Sequence, residues 1–163
     1  MSLRSVRRSV NYSTKTKLRI YQSCVLSTLL YGSECWRMTE HDLSRLVSFH
    51  TARLRKILRI CWPRKMSNDE LLKQTKQEDI RTLVTRGRWR WIGHVLQKGN
   101  NNIARIAMRW TPEGKRSRGR PKTTWCRTVE KGLRELNYSR STIEKLAKDR
   151  QRWKDFVAAL CAT

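Results

Sequence analysis

The sequence predicts a mainly α fold of five to six helices, with a basic loop and at most one short β-hairpin. Three observations predict it. Apolar residues recur at helical spacing through most of the chain. Serine or threonine stands three residues before an acid ahead of several of those runs, the pattern of a capping box. Glycine, asparagine and proline punctuate the boundaries.

Residues 1 to 14 are rich in Arg and Ser and carry no periodicity, so they read as a basic arm. From Lys15 to Tyr31, the residues Leu18, Tyr21, Val25 and Leu29 lie on one helical face, and Gly32 ends the helix. Thr39 with Asp42 opens the next helix. Its apolar stripe is Leu43, Leu46, Val47, His50, Leu54, Ile57, Leu58 and Cys61, and Pro63 stops it. Ser67 with Glu70 opens a short helix around Leu71 and Leu72. A long helix follows from about Glu78 to Gln97, with Ile80, Leu83, Val84, Gly87, Trp91, His94 and Val95 as its inner face. Trp89 falls off that face.

Gly99 to Asn102 is a loop, and Ile103 to Trp110 is ambiguous between a helical turn and a strand. Pro112 to Lys122 is a basic loop punctuated by Gly and Pro. Thr123 or Thr124 caps a helix with Trp125, Val129, Leu133 and Leu136 inside, ended by Asn137. Ser141 with Glu144 caps the last helix, which buries Ile143, Leu146, Ala147, Trp153, Val157 and Leu160. Three regions result: a basic arm at 1–14, a helical region at 15–62 and a second helical region at 63–163.

Charge narrows the function. Lys and Arg number 37 against 13 Asp and Glu, a net charge of +24. Such an excess repels itself in a compact state, and far less charge keeps a small domain soluble. A polyanion offsets the repulsion, because each cation that neutralises a phosphate releases a counterion. Nucleic acid fits best; an acidic membrane surface or an acidic protein are the other classes of partner. Seven Trp argue against a disordered basic tail.

Five cysteines without a CxxC spacing support neither a disulfide framework nor a zinc ribbon. Reduced thiols suit the nucleus or cytoplasm. The apolar run from Cys24 to Tyr31 falls short of the about 20 residues needed to span a bilayer, and no signal peptide is recognisable.

The densest positive region runs from Arg81 to Lys122 and contains one acid, Glu113. Its candidate nucleic-acid contacts are Arg86, Arg88, Arg90, Lys115, Arg116, Arg118, Arg120 and Lys122, with Trp89 as a candidate for stacking on unpaired bases. Arg118-Gly119-Arg120-Pro121-Lys122 matches an AT-hook core, which reads a narrow A·T minor groove. It equally suits a phosphate-facing loop ahead of a helix N-terminus. Glu113-Gly114-Lys115 has the Glu-x-Lys spacing of one nuclease class, without the partner acids a metal site needs. No phosphate-cradling Gly-rich loop and no polymerase-type Asp-Asp pair occurs. No cofactor, metal or catalytic residue is therefore expected, and a stand-alone AT-hook protein and a small metal-dependent nuclease are the alternative readings.

Four blocks carry a resemblance. Leu29-Leu30-Tyr31-Gly32-Ser33-Glu34-Cys35-Trp36, Trp91-Ile92-Gly93-His94-Val95-Leu96, Gly119-Arg120-Pro121-Lys122-Thr123-Thr124-Trp125, and Ala147-Lys148-Asp149-Arg150 with Trp153 stand in one order over almost the whole chain. Together they resemble the carboxy-terminal region of non-LTR (LINE-like, RTE-type) retrotransposon endonuclease–reverse transcriptases. The resemblance implies a thumb-like helical part at about 15 to 60 and a nucleic-acid-binding part after it. The palm, with its catalytic Asp-Asp pair, would precede Met1. It implies RNA and DNA as partners, together with the rest of the polyprotein. Tyr31, Gly32, Glu34 and Trp36 would be structural at the thumb junction. Gly93 and His94 would form a packed helical turn, Trp125 and Trp153 would be structural, and Arg118, Arg120 and Lys122 would face nucleic acid.

Overall fold

The computed structural model describes residues 9–108, 110 and 125–162. They are mainly helical, with no strand among the described residues. The chain forms two compact units. Among the described residues, unit 1 comprises 9–32 and 39–84, and unit 2 comprises 33–38 and everything from Thr85 onward.

Unit 1 starts with α1 (Thr14–Ile20), a π-helical segment (Tyr21–Leu26) and α2 (Ser27–Leu29), which run on without a break. The Ser13 hydroxyl caps α1 by accepting from the Thr16 amide. Beyond α2, Gly32 adopts φ +69°, the left-handed conformation that glycine tolerates best. Helices α3 (Glu40–Ile57) and α4 (Asn68–Thr75) both open on complete capping boxes, Thr39 with Asp42 and Ser67 with Glu70, as their spacing predicts. Hydrogen bonds from the Thr39 side chain and backbone hold the Asp42 carboxyl below the usual range. Helix α3 ends at Ile57, before Pro63, because Arg59 turns left-handed.

The core of unit 1 is Tyr21, Leu26, Leu54, Ile57, Leu71 and Ile80. Burial of Leu71 and Ile80 with residues of α3 puts α4 in unit 1. The division between the compact units falls at Val84/Thr85.

Inside that core, the Tyr21 hydroxyl and His50 Nδ1 share a hydrogen bond of 2.9 Å, with the rings stacked 5.7 Å apart. His50 is 1 % exposed. Its burial holds the imidazole below its ordinary pKa, although the Glu78 backbone and Asp79 act the other way. Burial likewise pushes the Tyr21 hydroxyl up to about 12, against the opposing field of Arg53. Both shifts make stability depend on pH. Below the ordinary histidine pKa of 6.5, an unfolded chain takes up a proton that folded His50 refuses. Stability is therefore complete above that pH and falls as the pH drops. Above the ordinary tyrosine pKa of 10.0, the unfolded chain loses a proton that folded Tyr21 keeps until about 12, so stability falls again on the alkaline side. Urea midpoints measured at pH 5, 8 and 11 should peak at pH 8, and His50→Gln should flatten the acid limb. A wild-type midpoint that rises towards pH 5 would contradict the burial of a neutral His50.

Helix α5 (Ile80–Leu96) begins in unit 1 and continues in unit 2. Ile80 and Leu83 pack in the core of unit 1, whereas Trp89, Ile92 and Leu96 belong to the core of unit 2, with Trp91 packed against it. The inner face read from the sequence is buried at Ile80, Val84 and Val95, and Trp91 packs against the unit 2 core, but His94 on that face is exposed and Trp89 off it is buried.

Unit 2 adds a 3-10 turn (Ser33–Cys35), α6 (Ile103–Ala107), α7 (Trp125–Glu135), α8 (Arg140–Lys148) and α9 (Arg150–Ala162). The ambiguous stretch from Ile103 is helix, capped by the Asn102 side chain. Asn137, at φ +56°, ends α7 as its residue type suggests. The expected single C-terminal helix is two. Ser139, not Ser141, caps α8, and the Asp149 carboxylate then accepts from the amides of Gln151 and Arg152 to start α9. The core joins Trp89, Ile92, Leu96, Leu133, Ile143, Ala147, Trp153 and Val157.

Candidate nucleic-acid interface

Unit 2 is assembled by the motif blocks themselves. Gly93 lets the Trp153 indole lie directly on α5. A Cβ at Gly93 would fall inside that indole, 2.6 Å from its Cδ1 and closer still to Nε1 and Cε2. Trp153 Nε1–H donates to the Trp89 carbonyl at 3.2 Å, and the Trp89 ring packs edge-on to Phe156. Trp91 meets Trp125 edge to face with centroids 5.5 Å apart. Trp125 Nε1–H donates to the Glu34 carbonyl at 2.8 Å, and Arg88 Nη2–H donates to the Trp36 carbonyl at 3.2 Å. Glu34 and Trp36 thus contribute backbone acceptors that fasten residues 33–38 to unit 2.

Two placements differ from the expectations. Trp89 is 5 % exposed and holds core contacts, so its face is closed to a base. Its helical phase misled because α5 buries a further face there, with Trp89, Ile92 and Leu96, beside the one with Trp91 and Val95. His94 does not pack beside Gly93 but points to solvent. Tyr31 is 85 % exposed. Arg88 also differs from a surface cation. Its Nε is buried, its side chain ties down Trp36, and burial lowers its pKa. Arg105 is similarly occupied: it donates to the Leu96 and Lys98 carbonyls at the end of α5 and pairs with Glu144 at 3.5 Å.

On α5, Arg86 is half-buried and Arg90 exposed, one helical turn apart. They line a groove of about 380 Å³ together with Trp153, Lys154, Val157, Ala158 and Cys161 of α9. No acid lines this groove. Cations on both walls of an uncharged cleft focus a positive potential, the arrangement that attracts a phosphate chain. Lys154 escaped the sequence reading because only the packing of α9 against α5 brings it to Arg86 and Arg90. Lys115, Arg116, Arg118, Arg120 and Lys122, the AT-hook-like core and Glu113 lie outside the described residues.

Among the described residues, no group of His, Cys, Asp and Glu could hold a metal ion, and the cysteines are free. No helix among them is long and apolar enough to cross a membrane.

No family model matches the chain, and no solved structure matches it. The chain is similar to an uncharacterized transposon-derived protein of Caenorhabditis elegans. The two are 25 % identical over 152 residues, covering 85 % of this chain and 53 % of the relative. The chain therefore spans about half the length of the curated relative it matches. That likeness fits an origin in a transposable element.

Proposed function

We propose that this chain is a nucleic-acid-binding fragment of a non-LTR retrotransposon reverse transcriptase. It helps hold the element's RNA and the primer or target DNA, while polymerisation and DNA cutting belong to other parts of the polyprotein. The observation that carries this reading is the acid-free groove of Arg86, Arg90 and Lys154 on a chain of net charge +24. Two further facts support it. The four motif blocks occur in the order of that family, and the curated relative is transposon-derived.

Phosphate contacts position a protein without reading sequence. The groove accordingly serves RNA and DNA alike. Changing Arg86, Arg90 and Lys154 together to Ala should weaken binding to an RNA hairpin and to a DNA duplex by about tenfold or more at physiological salt. The slope of log affinity against log salt should flatten by about 2, since each lost phosphate contact is worth about 0.7–0.9. Fluorescence anisotropy with both probes reads this. An unchanged affinity and slope would remove the groove from the interface.

A further inference from the structure

A second cationic feature lies in unit 1, on the loop between α3 and α4, and it has a different chemistry. Trp62 is 86 % exposed there. Arg64 and Lys65 follow it and are exposed, Arg59 precedes it on the surface, and no acid occurs between Arg59 and Ser67. The loop is built rather than slack. Arg55 crosses its base, with Nη2 donating to the Met66 carbonyl at 3.0 Å and to Asn68 Oδ1 at 2.7 Å. The Ile60 amide donates to the Arg55 carbonyl, and the Arg64 amide donates to the Cys61 carbonyl. The α4 capping box fixes the exit.

Burial of an indole is among the largest apolar gains a fold can make. Here the loop instead holds the ring in water. An exposed indole flanked by cations offers what an unpaired stretch of nucleic acid presents in return: a base face to stack on and phosphates to neutralise. A duplex offers the phosphates but keeps its base faces covered.

We propose that Trp62, with Arg64 and Lys65, forms a binding site for an unpaired nucleobase and its adjoining phosphates. The site gives the chain a preference for single-stranded over duplex nucleic acid. This inference rests on the nucleic-acid-binding reading above and adds the ligand class to it. The Trp side chain stacks, and the two cations hold the backbone.

The full chain should be titrated with a labelled oligouridylate 12-mer and with a blunt DNA duplex of equal length. Trp62→Ala should weaken binding of the single strand about tenfold and alter duplex binding less than twofold. Trp62→Phe should keep most of the affinity, because its ring still stacks. Arg64→Ala with Lys65→Ala should weaken both probes and flatten both salt slopes. Circular dichroism should be unchanged in each variant, since none of these side chains is buried. Unchanged single-strand affinity in Trp62→Ala, or equal losses on both probes, would overturn the stacking site and leave the groove reading intact. Binding of the wild type to neither probe would overturn both. Loss of binding to vesicles containing anionic lipid, with single-strand affinity intact, would also overturn the proposal and assign the loop to a membrane surface.

Discussion

Gly93→Ala should destabilise unit 2 by about 3 kcal/mol, although alanine is the better helix former. Two effects oppose each other. Replacing a helical glycine by alanine contributes about 1 kcal/mol of helix propensity. Against it, the new methyl group would occupy the space of the Trp153 indole. Overpacking of this kind typically costs about 1–3 kcal/mol. Displacing the indole also breaks its bond to the Trp89 carbonyl and disturbs the Trp89, Trp153 and Phe156 cluster. The unfavourable side wins.

Gly87→Ala is the matched control on the same helix. A Cβ there meets nothing within 4 Å, so only the propensity gain operates. Thermal unfolding should show Gly87→Ala equal to or above the wild type. The Gly93→Ala midpoint should fall by about 10–20 °C, as expected for a domain of this size. Equal midpoints for the two variants would contradict the packing of Trp153 on α5.

Much of this fold was legible because its signals are local. The capping boxes at Thr39 and Ser67, the helix end at Asn137 and the boundary at Gly32 each depend on a few neighbouring residues. The apolar stripe of α3 was legible for the same reason, and its buried members His50, Leu54 and Ile57 stand where helical spacing puts them. The failures are tertiary. Helix α5 buries the expected face at Ile80, Val84 and Val95, and a further one at Trp89, Ile92 and Leu96, which belong to the core of unit 2. That further face hid the burial of Trp89, and His94 is exposed although it shares the expected face with Val84 and Trp91. The break at Asp149 was hidden differently. Apolar spacing continues from Ala147 to Trp153, and only the carboxylate's bonds to the following amides reveal a new helix start.

The candidate interface was partly legible. Arg86 and Arg90 stood out by charge density, but charge density cannot separate them from Arg88, whose side chain turns inward to the Trp36 carbonyl. Lys154 needed the packing of α9. Trp62 needed a measure of exposure, which no local pattern supplies.

The second large effect concerns salt. A chain of +24 that binds through phosphate contacts releases condensed counterions on binding, and added salt opposes that release by mass action. If about 6–10 phosphates are neutralised, affinity falls by about 10³–10⁵ between roughly 50 and 200 mM salt. Stacking at Trp62 adds affinity that salt barely touches, so the single strand should lose less than the duplex. An acidic protein partner would give a shallower dependence, because it has no dense condensed counterion layer to release.

The most direct measurement is therefore the affinity of the full chain for a structured RNA and for a DNA duplex, titrated across that salt range. A straight, steep decline of log affinity with log salt is expected for both, with little difference between duplexes rich in A·T and in G·C. Affinity independent of salt, or absent for both polymers at the lowest salt, would contradict it.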